Sequence, residues 1–142
     1  MRHHKQWLAA LCHRFHVSAI YAFGSRSLEV KQWADNDMLA LNPDSSADVD
    51  IGIKLDTPYS LTIRQKIAFA QALEAKLQIM RVDLALLDET DPFLALNIIR
   101  GARLYAKDND AADNYELYIM RRAGDLAPFE RQRMKMILGV AP

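Results

Sequence analysis

The 142-residue sequence has a single cysteine, no net charge and no long apolar run. Cys12 cannot form an internal disulfide, which is typical of a protein of the reducing cytosol, and we interpret it as a buried structural thiol. No stretch is long enough to cross a bilayer, and the apolar part of the start is too short for a signal peptide. We therefore expect a cytoplasmic protein that does not associate with a membrane.

The sequence has no excess of positive or negative charge, since 18 Lys and Arg residues balance 18 Asp and Glu residues. The net charge therefore does not indicate non-specific electrostatic binding to nucleic acid, and we expect no direct nucleic-acid binding. A balanced net charge does not exclude a local binding site for a phosphate-bearing ligand, because it says nothing about how the charges cluster. The sequence also lacks internal repeats, low-complexity tracts and Gly/Ser linkers, and its 51% hydrophobic residues are typical of a globular chain. We expect one domain over 1–142.

Apolar periodicity predicts helices and strands that alternate along the chain. The predicted helices span 5–16, 25–33, 60–78, 92–100 and 110–138, and the predicted strands span 17–23, 48–55, 81–87 and 103–106. Ser25 is a candidate N-cap for the second helix, and a break is expected in the last helix near Gly124 and Pro128. The segment 35–47 is polar and contains turn-forming residues, so it is interpreted as a loop. This order indicates an α/β fold, a small mixed β-sheet flanked by helices, with C-terminal helices.

Two aspartates on the second predicted strand are the first candidate site residues. Asp48 and Asp50 are two positions apart, so they project from one face of a strand while Val49 and Ile51 project from the other. Neighbouring carboxylates repel each other unless something neutralises them, as a divalent metal does. Magnesium takes oxygen ligands and keeps positions open for water and substrate phosphates. We therefore predict that Asp48 and Asp50 are metal ligands.

Asp83 repeats this pattern, because it is a charged residue inside the third apolar strand. If the two strands are neighbours, the carboxylates of Asp48, Asp50 and Asp83 can converge on one face. Three carboxylates can hold two metal ions, which clamp the attacking and leaving oxygens of a phosphoryl displacement. Asp83 would then be placed to take the proton from the incoming hydroxyl.

Gly24-Ser25 lies where the first predicted strand ends and a helix begins. Backbone N–H groups at a helix start bind phosphate, and glycine allows the backbone to come close to it. The hydroxyl of Ser25 adds a donor, and Arg26 adds positive charge. We therefore predict that Gly24, Ser25 and Arg26 bind the phosphates of a nucleotide, in a reaction that depends on positioning and charge neutralisation.

Together these motifs resemble the GS…DxD signature of the DNA polymerase beta nucleotidyltransferase superfamily. The residues that carry the resemblance are Phe23-Gly24-Ser25, Asp48-Val49-Asp50-Ile51-Gly52-Ile53, Val82-Asp83-Leu84 and the segment 97–105. The resemblance covers about 17–107 as a core, followed by a helical segment at about 110–138. The small size is similar to that of the minimal nucleotidyltransferases, the MNT family, and the resemblance implies the polymerase-beta-like nucleotidyltransferase fold.

Two features depart from the family pattern. The 22 residues between Ser25 and Asp48 are more than the family usually has, and the small residue, arginine and glycine that usually follow the serine are absent. The additional residues fall in 35–46, where a surface insertion costs little entropy.

The resemblance also implies a function. Many MNT proteins are antitoxins encoded with a HEPN-domain ribonuclease toxin, and they transfer AMP from ATP to a tyrosine of that toxin, which neutralises it. For this chain the resemblance implies a protein adenylyltransferase that uses ATP and two Mg²⁺ ions and forms a complex with a HEPN-domain toxin. Two alternatives stay open: a nucleotidyltransferase that modifies a small molecule such as an antibiotic, and a non-catalytic antitoxin that neutralises by contact.

Three further groups of residues have competing interpretations. Apolar side chains of the last predicted helices either cover the sheet or contact a partner; they are Tyr115, Leu117, Tyr118, Met120, Phe129, Met134, Met136 and Ile137. Trp33 either packs in the core, which we favour, or stacks on a nucleobase. His13 and His16 are interpreted as solvated or capping residues, because no further metal ligands accompany them.

Overall fold

Four strands and five α-helices alternate along the residues that the computed structural model describes, 3–43 and 45–139. In chain order the elements are α1 (His3–Arg14), β1 (Val17–Phe23), α2 (Ser27–Asp35), β2 (Val49–Leu55), α3 (Ile63–Leu77), β3 (Val82–Leu86), α4 (Pro92–Ile99), β4 (Ala102–Ala106) and α5 (Asn109–Ile137). A short 3₁₀ turn, Leu87–Glu89, follows β3. β1 has the predicted bounds.

The strands form one mixed sheet in the order β3-β2-β1-β4. β1 runs antiparallel to both β2 and β4, whereas β2 and β3 are parallel and α3 connects them. A parallel pair needs a crossover connection of this kind. The predicted α/β fold, a small mixed sheet flanked by helices, is confirmed.

Helices cover both faces of the sheet. On one face α1, α2 and α3 bury an apolar cluster with the strands, to which Leu8, Val30 and Leu73 contribute. On the other face α4 and α5 pack through Ile98 and Ile119. Both faces of the sheet therefore contribute to apolar clusters, and the acidic side chains of β2 and β3 lie at the end of the sheet where these two strands begin.

α4 lies directly on β2 at Gly52. A Cβ at this position would lie 2.4 Å from Cγ2 of Ile98, so any side chain would push the helix away from the sheet. Asp50 and Lys54 are on the same face of β2 as Gly52, because side chains alternate along a strand. The polar side chains of β2 therefore flank its contact with α4.

Polar side chains mark the starts of α3 and α4. Thr62 and Gln65 form a capping box, in which each side chain accepts a hydrogen bond from the backbone N–H of the other. Asp91 accepts hydrogen bonds from the N–H groups of Phe93 and Leu94, and Pro92 occupies the first turn. The predicted start of α4 is confirmed, whereas α3 begins later than predicted.

One continuous helix forms the C-terminal segment, so the predicted break near Gly124 and Pro128 is wrong. α5 runs through Pro128 without interruption. A proline removes the hydrogen bond to the carbonyl of the residue four positions earlier, here Gly124. Gly124 is exposed, so water can bond to this carbonyl and the helix can continue.

No helix in the described ranges is both long enough and apolar enough to cross a membrane.

Candidate active site

Asp50 and Asp83 lie opposite each other on the parallel strands β2 and β3. The expectation that these two strands are neighbours is therefore met. Asp48 immediately precedes β2, whose first residue, Val49, forms the first pair of the β2–β3 ladder with Val82. The three carboxylates thus occupy one end of two adjacent strands.

The electrostatics of Asp50 reflect this crowding. Partial burial raises the pKa of its carboxyl above the usual aspartate value, and the nearby charges of Asp83 and then Asp48 raise it further. Like charges at short range disfavour ionisation in this way. The site therefore carries an excess of negative charge that a bound cation would relieve.

Arg81 is a residue that the sequence analysis did not place in the site. Its Nε lies 3.1 Å from Oδ1 of Asp83 and 3.8 Å from Oδ2 of Asp48. The carbonyl of Arg81 accepts a hydrogen bond of 3.3 Å from the N–H of Val49, which joins it to the start of β2. The i, i+2 spacing of Arg81 and Asp83 could have indicated this contact, since such residues share one face of a strand.

Gly24 contacts the carboxylate of Asp50. Phe23 pairs with Asp50 across β1 and β2, so the chain leaves the sheet beside this carboxylate. A Cβ at Gly24 would lie 2.3 Å from Oδ2 of Asp50, and the φ angle of Gly24 is +74°. Both the distance and the backbone conformation favour glycine. The predicted phosphate loop and the aspartates are therefore adjacent.

Ser25 does not cap α2, contrary to the prediction. The helix starts at Ser27, and its N-cap residue is Arg26, which makes no side-chain capping hydrogen bond. The N–H of Ser27 instead donates to the carbonyl of Gly24, which closes a tight turn. Ser25 lies exposed in this turn, between Asp50 and the first turn of α2. Its side chain is accessible to a ligand.

Arg26 points into the protein rather than toward the aspartates. Its side chain is 5% exposed, and Nε and Nη2 donate to the carboxylate of Glu29 at 2.8 and 3.1 Å. Nη1 donates to the carbonyl of Ala47, and Nη2 donates to that of Asn42. The guanidinium therefore anchors the 35–46 segment, and the structure does not bring it to the predicted phosphate site.

The 35–46 segment is also held at its other end. Asp37 accepts hydrogen bonds from the N–H groups of His3 and His4 at the start of α1. The N–H of Asn42 donates to Glu29, which is the partner of Arg26. A cavity of about 350 Å³ opens beside Asp48 between this segment and the turn that leads from α3 to β3. Pro43, Ser45 and Ser46 of this segment therefore line the cavity beside Asp48.

The remaining candidate residues have structural roles. Trp33 is 3% exposed and stacks on His4 at 4.0 Å, so it packs in the core as favoured. His16 stacks on Tyr59. Cys12 is buried, and burial raises the pKa of its thiol to about 12, which is typical of an inert side chain.

The observed side-chain conformations do not form a compact metal cluster. Among residues 3–43 and 45–139, no three His, Cys, Asp or Glu side chains lie close enough to hold one ion, so the expected convergence is not seen. Arg81 instead pairs with Asp48 and Asp83. The donor set fits magnesium in its chemistry, because it supplies only carboxylate oxygens and because Asp50 and Asp83 are directly opposite in register.

The mixed four-stranded sheet, with Gly24 at the end of β1 and carboxylates on β2 and β3, has the MNT nucleotidyltransferase fold. This fold is seen in solved structures of toxin–antitoxin pairs. A chain of the MntA–HepT toxin–antitoxin structure is 14% identical to this one with a TM-score of 0.67, and the match covers 97% of this chain and 99% of that chain. No family model and no curated protein sequence matches this chain.

Two further solved structures contain bound or transferred nucleotide. In a toxin–antitoxin structure with AMP-PNP the matching chain is 17% identical, with a TM-score of 0.69 and coverage of 94% of this chain and 98% of that chain. In the complex of a tri-AMPylated Shewanella oneidensis HEPN toxin with an MNT antitoxin the matching chain is 16% identical, with a TM-score of 0.66 and coverage of 95% and 96%. At these identities the likeness shows the fold alone.

Proposed function

We propose that this chain is an antitoxin-type protein adenylyltransferase, which transfers AMP from ATP to a tyrosine of a HEPN-domain ribonuclease toxin. The observation that carries the proposal is the position of Asp50, which lies opposite Asp83 and in contact with Gly24. In this proposal the carboxylates and the glycine turn before α2 bind the same nucleotide, because carboxylates hold metal ions and free N–H groups at a helix start bind phosphate. The whole chain, 1–142, acts as a single nucleotidyltransferase domain in the cytoplasm.

Each candidate residue has a role in this reaction. Asp48, Asp50 and Asp83 hold Mg²⁺, two ions in our proposal, which supplies the charge that neutralises the triphosphate and the leaving group. The turn of Gly24 and Ser25 binds phosphate oxygens through backbone N–H groups and a hydroxyl. Arg26 acts indirectly, since it anchors the 35–46 segment beside the site.

The chemical step balances with groups that the chain provides. The tyrosine oxygen of the toxin forms a bond to the α-phosphorus of ATP, and the bond to the bridging oxygen breaks. Pyrophosphate leaves, and Asp83 accepts the proton of the tyrosine hydroxyl. AMP on the toxin adds charge and bulk, which blocks RNA binding next to the modified tyrosine.

The two nucleotide-containing structures support the choice of substrate and acceptor. One toxin–antitoxin structure contains AMP-PNP, and in another the HEPN toxin is tri-AMPylated. The chain aligns over nearly its whole length with a chain of each. We carry ATP, AMP transfer and the HEPN partner over to this chain on that basis.

α5 supplies a surface for the partner. Of the apolar side chains of α5 that could either cover the sheet or contact a partner, most are exposed and do not cover the sheet. They are Leu117, Tyr118, Met120, Phe129, Met134, Met136 and Ile137. Tyr115, in contrast, packs against the core under α5. Exposed apolar side chains grouped along one helix are a feature of protein interfaces. We propose that the HEPN toxin binds along the second half of α5.

A labelling experiment tests this function and separates it from its alternatives. The protein is incubated with α-³²P-ATP, Mg²⁺ and the product of the neighbouring gene. Label on a tyrosine of that protein supports the proposal, and label on an antibiotic supports the small-molecule alternative. Absence of label together with a tight complex supports the non-catalytic antitoxin.

Variants of the aspartates test the mechanism. Asp48→Ala with Asp50→Ala should abolish transfer without unfolding the protein, because the change removes ligands and relieves repulsion. Asp83→Asn should reduce turnover more than ATP binding, because it removes the base. Asp110→Ala, an exposed change in the first turn of α5, is the control and should leave transfer unaltered. Equal loss of binding and turnover in Asp83→Asn would indicate that Asp83 acts mainly as a metal ligand and not as the base.

A further inference from the structure

Arg81 makes two ion pairs with the proposed metal ligands. Its Nε is 3.1 Å from Asp83 and 3.8 Å from Asp48, whereas no ion pair joins it to Asp50 among the described contacts. We infer that Arg81 is a counter-cation that competes with the metal for Asp48 and Asp83 and thereby sets the metal concentration that the site requires. This inference rests on the proposed function.

The position of Arg81 suits this role. Its carbonyl is hydrogen-bonded to the N–H of Val49, so its backbone is fixed between the starts of β2 and β3. Its side chain is 69% exposed, so the guanidinium can leave the carboxylates without disturbing the core.

Charge compensation at the site is uneven. Arg81 pairs with two of the three carboxylates, and the remaining one, Asp50, has a raised pKa owing to burial and its acidic neighbours. A metal that binds all three shares Asp48 and Asp83 with Arg81, or displaces it, and in both cases the two positive charges oppose each other. Because exposed ion pairs contribute little, we expect the competition to change the metal Kd by only about two- to fivefold.

Titration with Mn²⁺ alone, followed by electron paramagnetic resonance, measures this competition on the full-length protein. We expect Arg81→Gln to bind Mn²⁺ about two- to fivefold more tightly than wild type, because it removes the competing charge. Arg81→Lys retains the charge and should stay close to wild type. Arg64→Gln, an exposed change on α3, is the matched control and should not alter the Kd. An unchanged or higher Kd in Arg81→Gln would overturn the inference.

Thermal unfolding separates competition from a purely structural role. In chelator, Arg81→Gln should have a lower Tm than wild type, because two carboxylates lose their counter-charge. In saturating Mn²⁺ the variant should gain more in Tm than wild type gains. Equal gains in the two proteins would show that Arg81 is only structural and would overturn the inference.

An aspartate variant distinguishes a failure of the role of Arg81 from a failure of the proposed metal site. Asp50→Ala with Asp83→Ala should lose Mn²⁺ binding. If it binds as wild type does, the proposed metal site fails and the inference fails with it. If binding is lost there but Arg81→Gln is unchanged, the metal site stands and only the role of Arg81 fails.

Discussion

Gly24 and Asp50 are the pair of residues on which the candidate site depends most closely. The strand pairing of β1 with β2 brings the last residue of β1, Phe23, opposite Asp50. The next residue must then turn away from the sheet within contact distance of a carboxylate. Glycine meets both requirements, since it has no Cβ and adopts positive φ at little cost.

Gly24→Ala should therefore harm both stability and activity. The new methyl would overlap with Oδ2 of Asp50 at a φ of +74°, and we expect a loss of about 1–3 kcal/mol in the free energy of unfolding. Displacement of Asp50 should also abolish AMP transfer. Urea denaturation and the labelling assay measure these two effects.

Gly124→Ala is the control for this substitution. Nothing lies within 4 Å of a Cβ at Gly124, which is inside α5. Alanine favours the helix, so this variant should be as stable as wild type or more stable by up to about 1 kcal/mol. A stability loss equal to that of Gly24→Ala would show that the contact with Asp50 is not the cause.

At the scale of elements, α2 and the segment that follows it depend on an ion pair between the buried Arg26 and the partly exposed Glu29. Arg26 and Glu29 lie on one side of α2, and between them they hold Asn42 and Ala47 of the following loop. An isolated pair at i, i+3 on a helix contributes little. Here the arginine is buried and each partner bonds to the loop, so the pair joins two parts of the chain.

Arg26→Ala should lower the free energy of unfolding by about 2–4 kcal/mol, because two carbonyls lose their arginine donor and Glu29 loses its counter-charge. Urea denaturation measures the loss. Hydrogen exchange should show faster exchange in the 35–46 segment than in β1. Arg26→Lys, which retains the charge but not the forked geometry, should lose less. Unchanged exchange in the segment would mean that Arg26 does not anchor it.

Glu29 makes this anchor sensitive to pH. The hydrogen bonds from Arg26, and then that from Asn42, hold the pKa of Glu29 below its usual value. A lowered pKa in the folded state stabilises the protein above the pKa of the unfolded state, and this stabilisation is lost as the pH falls through the folded pKa. Glu29→Gln should therefore be less stable than wild type at pH 7, and the difference should shrink below about pH 4.

Denaturation at several pH values checks this expectation. Asp125→Asn, at an exposed position of α5, controls for the loss of one acidic group. A difference between Glu29→Gln and wild type that stays constant from pH 7 to about pH 3 would contradict the proposed charge dependence.

At the scale of the whole molecule, α5 connects the sheet to the proposed partner surface. Its first half is held by Tyr21, whose hydroxyl donates to Glu116 at 2.7 Å, and by Arg103, which pairs with Asp113 and Glu116. Its second half exposes Phe129. The helix therefore has one end fixed to the core and the other available for contact.

Phe129→Glu with Met136→Glu should weaken the complex with the toxin at least about tenfold, because central apolar residues dominate interface affinity. These side chains are 70% and 69% exposed, so the free energy of unfolding should change by no more than about 0.5 kcal/mol. Calorimetric titration of the toxin measures the affinity. Ile67→Glu on α3, on the opposite side of the sheet, is the matched control and should bind normally. An unchanged Kd for the α5 variant would exclude this surface.

Local sequence patterns predicted most helices and strands correctly. They failed where contacts with residues far along the chain decide the position of a side chain. β1 has its predicted bounds, and Asp91 begins α4 as expected, because strand alternation and N-capping depend on neighbours in sequence. Ser25 does not cap α2, because the helix starts at Ser27. Arg26 does not point toward the aspartates, because its partners include Asn42 and Ala47, far along the chain. The break near Pro128 was wrong because an exposed helix tolerates a missing bond.

The sequence by itself determined which face of each strand is polar. The period of two along β2 and β3 places Asp50 and Asp83 opposite the apolar side chains that the core requires. Only the tertiary structure decided that these two residues are in register, that Gly24 contacts Asp50 and that Arg81 pairs with two of the carboxylates. The reason is physical: strand register and turn position result from packing between segments far apart in the chain, which no local pattern encodes.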